Sequence, residues 1–331
     1  MARIGFLGVA HLHVDAYIGN LRAAGAELIG VHDRDATRAR AWGARFGVTV
    51  HDDLDVLLDA GLDAVIVCSE TAFHAELVEK AAVAGCAVLC EKPLGVGQED
   101  SARIVAVCDR AGVPLMTAFP VRFHPAVQEL RALVGSGSLG SLRAFAGTNQ
   151  SVMPIRERAW FADPVLAGGG AMMDHVVHLA DVFCWLLDAV PEQVYAVANR
   201  IVHSDVVTVE TSGLVMLDYA GGVFASIDCS WNRPMDYPAW GGIGLSVVGD
   251  GGTVEVDAMR QRLNRFGGRD AFGWTPWGVD TNQRMIDEFL AAVNEGREPA
   301  VTGRDGLIAT TVALAALESA RSGQPVQWPA G

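Results

Sequence analysis

The first 120 residues alternate short apolar runs with longer amphipathic stretches. Ile4 to Gly8, Leu28 to Val31, Ala64 to Cys68, Ala87 to Cys90 and Pro114 to Ala118 are the apolar runs. Such runs fit strands buried on both faces of a parallel sheet. Helical patterns fill the spaces between them: from Val14 to about Gly25, Ala36 to Phe46, Leu54 to Asp59, Ala72 to Ala84 and Ile104 to Ala111. Gly47 and Gly85 supply stops. Strands alternating with helices of this size predict βαβ units. The fourth run leads into Glu91-Lys92-Pro93. Pro93 has no N–H for a sheet ladder, so the strand must end there. Lys92 therefore falls at the carboxyl end of a strand, where open α/β sheets bind ligands. The Lys92–Pro93 bond is a candidate for cis geometry.

The pattern changes after residue 120. Pro120 to His124 reads as a crossing between domains, Pro125 to Val134 as a helix, and Leu142 to Thr148 as the start of strands. Trp160 to Gly170 is a glycine-rich loop with an aromatic pair at Trp160-Phe161, and Ala171 to Leu187 is a helix apolar on most faces. Val194 to Val202, Thr208 to Tyr219, Gly222 to Ser230 and Gly244 to Val256 read as strands with turn signals between them. Arg284 to Val293 and Leu307 to Ala320 are helices, the last expected to pack back on the first domain.

The chain has 331 residues, half of them hydrophobic, which favours two domains and excludes a largely disordered chain. A net charge of −14 argues against nucleic acid as a partner. No signal peptide and no apolar stretch long enough to cross a bilayer is expected. Cys68, Cys86, Cys90, Cys108, Cys184 and Cys229 mostly sit in apolar surroundings, with no zinc-type C-x-x-C pair. They read as buried, reduced thiols of a cytoplasmic protein.

The first strand–helix turn carries a nucleotide signal. A dinucleotide fold places glycines there, so that backbone N–H groups approach a pyrophosphate at the helix N-terminus. The frame is Gly8-Val9-Ala10-His11-Leu12-His13, with Gly8 the expected glycine, Ala10 a small stand-in and His13 a departure. Asp33 follows at the end of strand two, where a carboxylate accepts from both ribose hydroxyls of NAD and repels a 2′-phosphate. Arg34 is the counter-indication, since it could stack on adenine or recruit NADP; the fingerprint favours NAD. The expected fold class is an α/β N-terminal Rossmann domain, a doubly wound parallel sheet over residues 1–120. An α+β C-terminal domain with a large, mostly antiparallel open sheet follows over residues 121–331, for substrate binding and oligomerisation.

Within the 171–187 helix, Asp174 and His178 are four apart and share a face, with His175 on a neighbouring position. Buried ionisable groups need partners, and their clustering points to function rather than to a pair that only holds the helix. A metal set of Asp174, His175 and His178 is not favoured, because adjacent residues diverge by about 100° around a helix. His11 and His13 have no third ligand nearby in sequence, so no metal is expected there either. Trp231-Asn232 and the aromatic residues up to Trp240 suit the faces and hydroxyls of a sugar as well as they suit a subunit contact.

The chain resembles the glucose–fructose oxidoreductase / inositol dehydrogenase (Gfo/Idh/MocA) family over essentially its whole length. The likeness rests on Cys68-Ser69-Glu70-Thr71-Ala72-Phe73-His74, Glu91-Lys92-Pro93, Arg122-Phe123-His124-Pro125 and the Gly168 to His178 segment. Three features depart from the family pattern: the thinner glycine loop, Ser69-Glu70-Thr71 in place of Thr-Pro-Asn, and Val176 in place of a glycine. The resemblance implies that Lys92 is the active-site lysine, Asp174 its carboxylate and His178 its acid/base histidine. It implies nicotinamide-dinucleotide contacts from Gly8, Ala10, His11, Leu12, His13, Asp33, Arg34, Ser69, Glu70, Thr71, His74, Glu91 and Lys92. With these go substrate contacts from Lys92, Arg122, His124, Trp160, Asp174, His175, His178 and Trp231.

The expected function is an NAD(P)-dependent oxidoreductase passing hydride between nicotinamide and a hydroxyl-bearing carbon of a sugar, polyol or inositol-like substrate. Its expected partners are that small molecule and copies of itself, as a homodimer or homotetramer, with no nucleic acid or membrane. The rivals are a non-catalytic dinucleotide-binding regulator, and a tightly bound NAD used for glycoside cleavage without net redox.

Overall fold

The structure is a computed structural model that describes residues 1–156, 158–239, 241–258, 262–266, 272–276 and 278–328, with 262–266 and 272–276 as backbone. The chain opens β1 (Arg3–Leu7), α1 (Val14–Ala23), β2 (Glu27–His32), α2 (Ala36–Phe46), α3 (Leu54–Leu58), β3 (Ala64–Val67), α4 (His74–Val83), β4 (Ala87–Cys90), α5 (Gln98–Ala111), β5 (Leu115–Thr117). The five strands form one parallel sheet in the order β2-β1-β3-β4-β5. Every residue of β3 and β4 is buried, as continuous apolar strands with covered faces require. The chain leaves β1 first to one side of the sheet and then to the other. The carboxyl ends of β1 and β3 therefore flank the switch point at which open sheets bind ligands.

The chain continues α6 (Pro125–Gly135), β6 (Leu142–Val152), α7 (Pro164–Ala167), α8 (Ala171–Leu187), β7 (Gln193–Asn199), β8 (Ser212–Asp218), β9 (Phe224–Arg233), β10 (Ile243–Gly249), β11 (Gly252–Asp257), β12 (Arg262–Phe266), β13 (Phe272–Pro276), α9 (Thr281–Glu295), α10 (Gly303–Ser322), β14 (Val326–Gln327). A seven-stranded sheet runs β11-β10-β6-β9-β8-β7-β14. Its pairs are antiparallel except β6 with β9, which is parallel. Burial alternates along β8, so one face is covered and the other open. α8 lies on the covered face. A Cβ on Gly147 of β6 would come within 2.8 Å of Leu179 and 2.9 Å of Phe183, and one on Gly213 of β8 within 2.7 Å of Met172. Glycine in the strands is what lets this helix sit so close.

The compact units are discontinuous in sequence, where the pattern alone drew one crossing. The first comprises Met1–Pro120, Glu157–Gly168 and Thr281–Thr310, and the second Val121–Arg156, Gly169–Asp280 and Thr311–Gly331. α10 starts in the first unit, where Leu94 N–H donates to Thr310 Oγ1 (3.1 Å) and Thr117 Oγ1 to the Thr302 carbonyl (3.2 Å). It ends in the second, where Ala196 N–H donates to Ser319 Oγ (2.9 Å). One expectation needs correcting. The stretch Pro164–Leu187 is long and apolar enough to cross a membrane by length and composition. In the 18-residue window that meets this test 89% is buried inside the protein, as in the core helix of a globular domain.

Candidate active site

Gly8 leaves β1 with φ +83, and its N–H donates to the His32 carbonyl at 2.7 Å. A Cβ here would lie 2.6 Å from Ser69 Cα, so only glycine lets β1 turn against the chain leaving β3. His11 N–H donates to the Cys68 carbonyl (2.8 Å), and the Trp160 indole donates to the Ala10 carbonyl (3.1 Å). Trp160, expected as a substrate contact, is thus placed against the turn that follows β1. No side chain caps α1, whose N-cap is His13. A pinned glycine turn leading into a helix start without a side-chain cap fits a pyrophosphate.

The surroundings of Asp33 differ in detail from the sequence reading. Asp33 accepts from Val9 N–H (2.7 Å) and Asp35 N–H (2.8 Å), and from Arg38 Nε (3.0 Å) and Nη2 (2.7 Å). The guanidinium beside this carboxylate is that of Arg38, while Arg34 pairs with Glu76 (2.8 Å) and lies over the Phe73 ring (4.1 Å). Asp35 caps α2 by accepting from Thr37 and Arg38 N–H, which sets Arg38 in the first turn facing Asp33. Arg38 Nη1 also donates to Glu70 Oε1 at 2.8 Å. A cavity of about 470 Å³ opens beside this network, lined by Val9, Arg38, Trp42, Glu70, Arg158 and Trp160 among others. Arg38 escaped sequence reading because its meaning depends on the α2 cap, not on a motif position.

Glu91 and Lys92 follow β4 and are buried, and the Lys92–Pro93 bond is cis. Glu91 Oε1 is 3.0 Å from His13 Nδ1 and 3.5 Å from His11 Nδ1, and Oε2 accepts from Lys92 N–H at 3.2 Å. Burial pushes this carboxyl up, but the two imidazoles outweigh it and hold Glu91 well below the usual carboxylate range. His74 donates from Nδ1 to the Pro93 and Leu94 carbonyls (3.1 and 3.2 Å), which fixes the loop after Lys92. Burial lowers its pKa against the pull of those carbonyls, keeping it neutral. Ser69 Oγ donates to the Glu70 carbonyl at 3.0 Å, and Thr71 begins the turn into α4.

The second unit carries Asp174, His175 and His178, all buried on α8. The Trp231 indole donates to Asp174 Oδ2 at 2.9 Å, so this fully buried tryptophan, expected as a substrate contact, holds the carboxylate. Asp174 Oδ2 is also 3.2 Å from His175 Nε2. The two side chains meet although their Cα positions diverge around the helix, because an imidazole is long enough to reach back. Ser151 Oγ is 3.2 Å from His175 Nε2, and Asn149 donates to the His175 carbonyl at 3.2 Å. Arg122 forms a buried two-point pair with Asp181 (2.7 and 2.5 Å), and His124 caps α6 by accepting from Ala126 N–H (3.2 Å).

Glu210 has no local sequence signal and was not expected. It accepts from Gly170 and Met172 N–H (2.8 and 3.0 Å) at the start of α8, while burial pushes its carboxyl up. A Cβ on Gly170 would sit 2.1 Å from the Glu210 carbonyl oxygen. This glycine is therefore what admits the cap that aims Asp174.

A glycine turn into an uncapped helix start at the switch point, with a lysine at the end of β4, fits the class of nicotinamide-dependent oxidoreductases. Two family models cover the chain: the oxidoreductase family with an NAD-binding Rossmann fold matches residues 2–119, and the GFO/IDH/MocA C-terminal domain matches 127–255. The chain belongs to the GFO/IDH/MocA family of NAD(P)-dependent oxidoreductases. It is 30% identical over 339 residues to D-apiose dehydrogenase of Paraburkholderia graminis, covering 98% of this chain and 87% of that protein. It is also 30% identical over 336 residues to D-xylose 1-dehydrogenase (NADP(+)) 2 of Haloferax volcanii, covering 98% of each. Its fold matches the crystal structure of GenD2 from gentamicin A biosynthesis in complex with NAD, with a TM-score of 0.89 at 23% identity over 99% of this chain and 97% of that one.

Proposed function

We propose that the chain oxidises a hydroxyl-bearing carbon of a sugar or polyol with NAD, through Lys92, Asp174 and His178. The observation that carries this reading is the buried Asp174, His175 and His178 group on a mostly apolar helix, held from outside by Trp231, Ser151 and Asn149. Buried polar groups cost stability unless they are partnered, and so many dedicated partners suit a working acid/base centre. Gly8 to His13 would hold the pyrophosphate on backbone N–H groups, and the bound dinucleotide supplies hydride exchange at its nicotinamide. His178 takes the hydroxyl proton as general base. Asp174, fixed by Trp231, orients His178. The Lys92 ammonium stabilises negative charge developing on the reacting oxygen. The relatives named D-apiose and D-xylose dehydrogenase support a sugar substrate.

Cofactor choice turns on Arg38. Its guanidinium occupies the Asp33 oxygens that ribose hydroxyls would use, and it could also meet a 2′-phosphate. Fluorescence titration should show NADH binding more tightly than NADPH, roughly tenfold on the ribose-clamp logic. Arg38→Ala should widen that ratio, because Asp33 then faces the phosphate uncompensated. A wild type that prefers NADPH, or a ratio unmoved by the substitution, would remove Asp33 and Arg38 as the selector. A screen of sugars and polyols with the preferred cofactor then tests the reaction, and no turnover with any of them would count against it.

The open face of the seven-stranded sheet supports self-association. Tyr195 pairs with Met216, and Val197 with Leu214, with Phe224 on the next strand, and all five side chains are exposed. Contiguous apolar surface of this kind marks an interface. Light scattering should report a homodimer or larger closed assembly, and Met216→Asp with Leu214→Asp should give monomers. A wild-type monomer at micromolar concentration would overturn this. The cysteines, all free and buried, suit a reducing cytoplasm.

A further inference from the structure

We propose that His11, His13 and Glu91 form a binding site for one divalent transition-metal ion of the zinc class. Sequence reading found two histidines without a third ligand. The fold supplies that ligand from the end of β4, 78 residues beyond His13. His13 Nδ1 and His11 Nδ1 lie 3.0 and 3.5 Å from one carboxylate oxygen, Glu91 Oε1. The candidate donor atoms of the three side chains all fall within 4.8 Å of one another. A tetrahedral ion with bonds of about 2.0–2.1 Å separates its ligand atoms by roughly 3.3 Å. The two measured spacings bracket that value.

The shell around these donors is already fixed. Glu91 Oε2 is engaged by Lys92 N–H, so Oε1 faces the imidazoles. His13 N–H donates to His11 Nδ1 (3.4 Å), and the Tyr17 hydroxyl is 3.4 Å from His13 Nδ1. Both contacts fall on the nitrogens that would bind the ion, so they hold the rings in place and give way when it loads. Two imidazole nitrogens with one carboxylate oxygen favour zinc, cobalt or nickel over calcium and magnesium, which prefer oxygen. His11 and Glu91 are buried, whereas the His13 side chain is 22% exposed and offers the way in. On loading, the Nδ1 proton that His13 shares with Glu91 moves to Nε2 or to solvent, and the ion takes its place. Water completes the fourth position. All three ligands belong to the first unit, at the turn to which the proposed function assigns the pyrophosphate, so metal binding is read in the absence of dinucleotide.

The test uses the full chain stripped with chelator and without dinucleotide. Zinc is titrated against a chromophoric chelator, and bound metal per chain is counted by elemental analysis. The expected result is one zinc per chain. His13→Asn, which changes the partly exposed ligand and spares Glu91, should weaken binding at least tenfold, since losing even an outer partner costs about 10–100-fold. Cobalt loading should give the absorption of a tetrahedral site, absent in the same variant. Circular dichroism confirms that the variant is folded, and His11→Asn serves if it is not. Less than half an equivalent of zinc, or unchanged affinity in the folded variant, would overturn the proposal. Neither outcome bears on hydride transfer, which the sugar screen reads separately.

Discussion

Lys92→Met and His178→Ala should each lower kcat by at least about 10²-fold, while NADH affinity stays within about twofold of wild type. Removing one preorganised donor to a developing oxyanion costs about 10²–10³ in turnover, and removing a general base about 10²–10⁴. Methionine keeps the length of the buried lysine stem and deletes only the ammonium, so packing after β4 survives. The His178 change leaves the outer clamps of α8 in place, namely Trp231 on Asp174 and Glu210 on the helix start. Steady-state kinetics on the substrate found in the sugar screen, with an NADH titration of each variant, measures both quantities. Wild-type turnover in the two variants would sink the mechanism. A loss of NADH affinity as large as the loss in kcat would instead assign Lys92 to cofactor binding.

Gly8→Ala should weaken NADH binding by more than tenfold and lower the melting temperature. The left-handed backbone at this position alone costs an ordinary residue about 1–2 kcal/mol. The added methyl would also press on the Ser69 backbone, whose N and Cα lie 2.7 and 2.6 Å from its place. Relief requires β1 and the chain after β3 to separate, and overpacking of this kind costs about 1–3 kcal/mol more. The separation would open the turn that should hold a pyrophosphate. Calorimetry and fluorescence titration on one preparation read both effects. Unchanged affinity in a destabilised variant would mean that the turn is structural and that the dinucleotide is held elsewhere.

The five parallel strands were legible in the sequence because each is a short apolar run closed by a turn residue, a pattern set in β1, β3, β4 and β5 by burial on both faces. Lys92 was legible for a related reason: Pro93 must end β4, which fixes the lysine at the carboxyl end of its strand. The α8 group was legible because ionisable residues break an otherwise apolar helix. Arg38 was not. Asp33 and Arg34 stand next to each other in the chain, but the side chain that reaches Asp33 comes from one turn into α2. Nor were the partners of α8, since Trp231, Ser151 and Glu210 lie 24 to 57 residues from the atoms they hold.

By itself, then, the sequence determined the strands, the helices, the cradle glycine and the residue types of the candidate chemistry. These follow from local hydrophobic period, from backbone restrictions at glycine and proline, and from the cost of burying charge. Tertiary structure alone decided which partner each charged group takes. It gave Arg38 rather than Arg34 to Asp33, Trp231 and His175 to Asp174, and two loop histidines to Glu91. Pairings of this sort are set where separate elements bring side chains within about 3 Å, and no local pattern encodes a distance between elements that are far apart in the chain.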